Sequence, residues 1–251
     1  MRMKYTYHDT VFTRRTAVIQ KQDLQYVYCA NNPVRNTDPT GKDIVISGTL
    51  SDEALKQLQA KAGNSITLSM NDAGKVSYTM NTDKKLKGDA KTMAGMINNN
   101  SITVNLVTTD GMINSEGKAF VGGSFMGNTV GTDAQGNTTV SARQEINPNV
   151  LGSADELTAT PGKMIMHEAT EAYEGAKISQ KTGISATSAT IDNPNSIYST
   201  AHSMATPQST IVYTLYDANG KKVPDSQASK AVRMEWKVVS GTRTKVIQSY
   251  P

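Results

Sequence analysis

The chain has 251 residues, of which 37% are hydrophobic, enough for one substantial core or two small ones. Its net charge is +4, and residues 1–42 alone carry seven Lys and Arg against three Asp, also +4, so the remainder balances. That leaves no clustered positive field for phosphates and weighs against a nucleic-acid partner. No run approaches the roughly 18 apolar residues of a membrane span, and Met1-Arg2-Met3-Lys4-Tyr5 lacks the apolar stretch of a signal peptide, so export is expected to use another route.

In chain order, Gln25–Ala30 alternates as a strand would, and turn signals then accumulate at Asn32-Pro33, Asp38-Pro39 and Gly41. These residues predict a boundary, although a single hairpin end inside one domain has the same composition. Tyr26-x-Tyr28-x-x-Asn31-Asn32-Pro33-Val34 followed by Asp38-Pro39-x-Gly41 resembles the closing signature of Rhs-repeat proteins. The resemblance covers about the first 42 residues. It implies that residues 1–42 are the tail of an Rhs core shell and that 43–251 are a variable C-terminal toxin, a polymorphic effector delivered into a target cell. A cognate immunity protein is implied by the same resemblance. No tandem repeats stand upstream, so a fragment or displaced cassette of a larger protein is expected.

Beyond the boundary, Asp43–Ile46 opens a strand, and a helix is predicted from Ser51 to about Ala62, ended by Gly63-Asn64. Ser65–Met70 and Lys75–Met80 read as a hairpin around Asn71-Asp72-Ala73-Gly74. A loop from Thr82 leads into a weak helix near Ala90–Ile97, and Ser101–Thr108 alternates with period two. Asp110–Gly136, rich in Gly and Asn, reads as loops and hairpins beside a site. Thr138–Ile146 is a strand closed by Pro148, Lys163–Lys181 a helix with Gly183 beyond its end, and Ser196–Ala205 a second helix stopped by Thr206-Pro207. Ile211–Tyr216, Val232–Val239 and Thr244–Gln248 are closing strands. The order predicts an α+β domain, compatible with a zincin-like metallopeptidase: a mixed or antiparallel sheet and an active-site helix, preceded by the short β segment of the Rhs core.

The chemistry concentrates in His167-Glu168-Ala169-Thr170-Glu171, an H-E-x-x-E pattern inside an apolar-flanked helix. Positions i and i+4 share a face, so His167 and Glu171 can reach one metal ion. With Cys29 as the only cysteine, a zinc site here must be built from imidazole and carboxylate. The pattern is similar to the H-E-x-x-H metallopeptidases, in which the Glu is a general base on the water that the metal activates. Glu168 takes that role, and Glu171 stands where those enzymes have a second His. A catalytic zinc needs a third protein ligand. His202, on the second helix, is the candidate, with Asp192 and Asp217 as substitutes. Tyr198, four residues before His202, either donates to the oxyanion of a tetrahedral intermediate or packs in the core. Glu174 either braces a ligand or faces solvent, Tyr173 stands near the motif, and the small Gly175 and Ala176 allow close packing of the helix. His8 has no partner in the pattern.

The expected activity is a zinc-dependent hydrolase acting as a metallopeptidase on a protein substrate in the target cell. A zinc hydrolase of other amides or esters uses the same activated water, and a non-catalytic structural or adhesive module is the reading from another class.

Overall fold

The computed structural model describes residues 44–189 and 196–250. The signature from Tyr26 to Gly41, together with His8, Cys29 and Asp192, lies outside them. The elements in order are β1 (Ile44–Gly48), α1 (Ser51–Ala62), β2 (Ile66–Met70), β3 (Val76–Met80), α2 (Gly88–Ile97), β4 (Ile102–Thr108), β5 (Gly123–Thr132) and β6 (Thr138–Ile146). After these come α3 (Pro148–Thr158), α4 (Lys163–Thr182), α5 (Tyr198–Met204), β7 (Thr210–Tyr216), β8 (Lys222–Val223), β9 (Arg233–Ser240) and β10 (Arg243–Tyr250). The architecture is mixed α+β, as the sequence predicts.

A four-stranded sheet in the order β1-β4-β6-β5 carries the site. β1, β4 and β6 run parallel, and β5 returns antiparallel along β6 as the edge. Period-two patterning explains why one face is covered and the other wet. Ile102, Val104 and Leu106 of β4 and Val140, Ala142 and Ile146 of β6 are buried in the same core as the helices, while Ser141 and Arg143 are exposed. The register places Leu106 beside Gln144 and Gln144 beside Phe125, in one row across three strands.

α4 packs against β4, β5 and β6. Its first half is buried all round, from Met164 to Ala172, as a central helix requires. Each of Met164, Ile165 and Met166, at most 1% exposed, contributes on the order of 1.5–3 kcal/mol, which locks the turn that follows them. Asp155 of α3 accepts from the Met164 amide at 3.2 Å, satisfying a donor that α4 leaves open at its start. Gly175 bears on the sheet: a Cβ there would stand 2.8 Å from the Phe125 ring and 3.6 Å from Ala201 of α5. The close helix packing expected from its size is thus present.

The second sheet, β10-β9-β7-β8, is wholly antiparallel. It contributes Val238, Ile211 and Ile247 to the common core. The third, β2-β3, is the expected hairpin.

Asp110–Gly136, expected as loops and hairpins beside a site, holds the ten-residue strand β5, which forms such a hairpin with β6 across the turn 133–137. Its glycines serve the strand's shape. The ladder breaks between Phe125 and Asn128, and Gly127, at φ +82°, has no space for a Cβ against the backbone of Ala186 and Thr187. This is the glycine-bearing irregularity of a bulged edge. The segment after α4 then runs along that edge, with Asn128 exchanging backbone bonds with Ala186 and the Ala189 amide donating to Phe125. One reading needs correction, that of the residues after Pro148, which form α3. Pro148 does close β6, and it also occupies the first turn of a helix capped by Asn147, whose side chain accepts from the amides of Asn149 and Val150.

Candidate metal centre

Three side chains from two helices converge. His167 and Glu171 stand one turn apart on α4, and His202 comes from α5, which packs across it. The His167 Nε2 lies 3.2 Å from His202 Nδ1 and 3.6 Å from Glu171 Oε2, and His202 Nδ1 lies 2.5 Å from the same oxygen. The donor atoms all fall within 4.8 Å of one another. Ligands about 2 Å from one ion at tetrahedral angles stand roughly 3.3 Å apart, so the spacing suits a metal once the Glu171–His202 hydrogen bond yields to it.

The outer contacts also fit. His167 Nδ1 is 2.6 Å from the carbonyl of Thr206. A ring that donates there keeps Nε2 bare toward the cluster. Thr206 is itself pinned to α4, its amide donating to Thr170 Oγ1 at 2.9 Å. On the far side of His202, Nε2 meets the Gln208 amide at 3.1 Å. With that amide turned to present its oxygen, His202 donates through Nε2 and offers Nδ1 inward. The group can therefore hold a metal ion with two nitrogens and one carboxylate oxygen.

Glu168 lies beside this cluster, 7% exposed. Burial, and then the charge of Glu171, push its carboxyl up to about 8. Burial acts on Glu171 in the same sense, but its bonds to His167 and His202 hold it below the ordinary value. For His167 burial disfavours the charged ring, while Glu171, Glu168 and the Thr206 carbonyl outweigh it and raise the pKa. A Cβ on Gly123 would overlap the Glu168 carboxylate, so β5 can pass this close only with glycine there.

Glu168, Glu171 and His202 face a cleft of about 470 Å³ lined also by Phe120, Gly123, Ser124, Phe125, Tyr198, Gln208, Ile211 and Trp236. Among the described residues no Lys or Arg lines it. His202, with 37% of its side chain exposed, faces the opening, while Glu171 is 3% exposed. The Tyr198 ring stands 5.4 Å from that of His202 and 6.0 Å from Phe125, so it belongs to the cleft wall and also packs. Burial, followed by the charges of Glu171 and Glu168, raises its pKa and keeps the phenol protonated.

The remaining expectations divide. Glu174 bonds Lys177 at 2.8 Å on the helix surface, and Tyr173 accepts from Asn99 at 2.8 Å, so neither joins the site. Asp217 closes the turn between β7 and β8 by accepting from Asn219 and Lys221; as a substitute ligand it is withdrawn. Gln144, Gly123, Thr206 and Gln208 were not foreseen. Gln144 alone had a signal in the sequence: a polar residue at the parity that Val140, Ala142 and Ile146 reserve for the core. No family model, curated protein or solved structure matches the chain.

Proposed function

We propose that the chain is a zinc-dependent hydrolase with a zincin-like active helix, acting as a metallopeptidase on a protein of a target cell. One observation carries the reading: the Glu168 carboxylate lies beside the His167, Glu171 and His202 cluster in an aromatic cleft that no Lys or Arg lines among the described residues. Two imidazoles and a carboxylate with no thiolate suit zinc, and three protein ligands leave a position open for chemistry. Bound there, zinc would polarise the scissile carbonyl and bring the attacking water toward a pKa of ~7.

The protein's own groups do the rest. Glu168, whose raised pKa the charge of a bound zinc would lower again, accepts the proton of the attacking water and passes it to the leaving amine. Tyr198, on the wall beside His202, donates its hydroxyl to the oxygen that gains charge. The aromatic walls bind apolar side chains of a polypeptide and exclude water. A lining without Lys or Arg among the described residues offers phosphoesters none of the cationic clamps they need. The resemblance of the N-terminal segment to an Rhs core supports delivery into another cell as cargo.

The test uses the full-length chain and its Glu168→Gln variant, both loaded with zinc and incubated with bacterial lysate protein. New N-termini are then mapped by mass spectrometry. Termini made by the wild type and reduced by about 10²–10⁴-fold in the variant are the expected result. Equal yields from both proteins would refute Glu168 as the base, and no new termini would refute the peptidase.

A further inference from the structure

Gln144 is the one buried polar side chain in the helix-facing row of β6, between Ala142 and Ile146, and it is 0% exposed. Its neighbours in that row are apolar, so packing gives no reason for an amide. Its Nε2 donates to Glu168 Oε2 at 2.5 Å and to Glu171 Oε1 at 3.1 Å. Its own Oε1 is buried with no hydrogen-bond partner among the described residues. A side chain that leaves its acceptor orphaned in the core is held there for its two donors.

The bonds divide the carboxylates between two tasks. Glu171 gives Oε1 to Gln144 and turns Oε2 to both histidines. Glu168 is fixed through Oε2, which leaves Oε1 for proton transfer. The two N–H bonds of one planar amide diverge at a fixed angle, so a single group on the stiff central strand sets the separation of base and ligand. We infer that Gln144 is a positioning residue that keeps Glu171 a one-oxygen ligand and keeps the Glu168 carboxylate off the ion. This rests on the metal reading of the same cluster.

The test replaces Gln144 by Met, which has similar volume and no donor, in the full-length chain. Zinc affinity is measured by competition with a chromophoric chelator, and the visible spectrum is recorded with cobalt(II) in place of zinc. Glu171 freed to bind through both oxygens raises the coordination number, so the cobalt absorption should shift and weaken while the zinc Kd rises about 10–100-fold. If Gln144→Met fails to fold, Gln144→Asn keeps a polar amide one methylene short of the carboxylates and should move both readouts the same way. A wild type that binds neither metal overturns the metal reading and this inference with it. A wild type that binds both, with a variant of unchanged Kd and spectrum, overturns the role of Gln144 alone, even if the metal-free variant melts lower.

Discussion

At the scale of the residue, the site depends on a missing side chain as much as on those present. Gly123 lets the edge strand pass against the Glu168 carboxylate, and its backbone has no positive φ that would by itself demand glycine. The requirement is therefore one of space at the base. Gly123→Ala should keep zinc, because the atoms nearest to that Cβ belong to Glu168 and not to the three ligands, yet push the carboxylate aside. A misplacement of about 1 Å costs on the order of 10²-fold in rate. Turnover of a mapped cleavage-site peptide, measured with zinc occupancy on the same sample, checks this, and wild-type turnover would show that the carboxylate has room to move. The sequence disclosed His167, Glu168 and Glu171 because helical spacing places them without tertiary knowledge. His202 was legible by elimination among three histidines. Thr206 and Gln208 were not, since each acts through a contact made only when the segment after α5 folds back on α4.

At the scale of the element, the start of α4 is the sensitive point, because the helix begins four residues before His167 and carries His167, Glu168 and Glu171. Asp155 caps it from α3. Burial pushes the Asp155 carboxyl from 3.8 up to about 6, against the lowering effect of the Met164, Gly162 and Lys163 amides and the Lys163 charge. A carboxyl that holds its proton more tightly when folded contributes stability that is complete below pH 3.8 and lost as pH rises through about 6. Asp155→Asn keeps an acceptor for the amides and cannot ionise. Between pH 3.8 and pH 7 its stability should therefore gain on the wild type, by at most about 3 kcal/mol, read from denaturant midpoints along the pH series. A constant difference across that range would show that the carboxyl titrates as it does in the unfolded chain. The same region shows where reading by element fails. α3 begins with proline directly after a strand, and one residue served as both stop and start. Hairpins were expected in the glycine-rich stretch, but the length and bulge of β5 are set by its pairing to β6, which local propensity does not show.

At the scale of the whole molecule, the α+β class followed from the order of strands and helices, whereas the mixed order β1-β4-β6-β5 did not, since pairing is decided by tertiary packing. That packing leaves the cluster as a joint. His167 and Glu171 belong to the buried helix, and His202 belongs to the seven-residue α5, of which only Ala201 is buried. So short a helix has little stability of its own, and it is held to α4 chiefly through Ala201 packing against Gly175 and the His202 contacts to Glu171 and His167. A metal that binds the folded joint and not the unfolded chain stabilises the fold by mass action, about 4 kcal/mol at a thousandfold excess over Kd. For a domain of this size that corresponds to a rise in Tm on the order of 10 °C. Zinc added to chelator-treated protein should raise the melting temperature by this amount, and His202→Ala should abolish the rise and, without the His202 contacts to Glu171 and His167, melt below the metal-free wild type. A wild type whose melting is indifferent to zinc would mean that the joint is closed by hydrogen bonds alone.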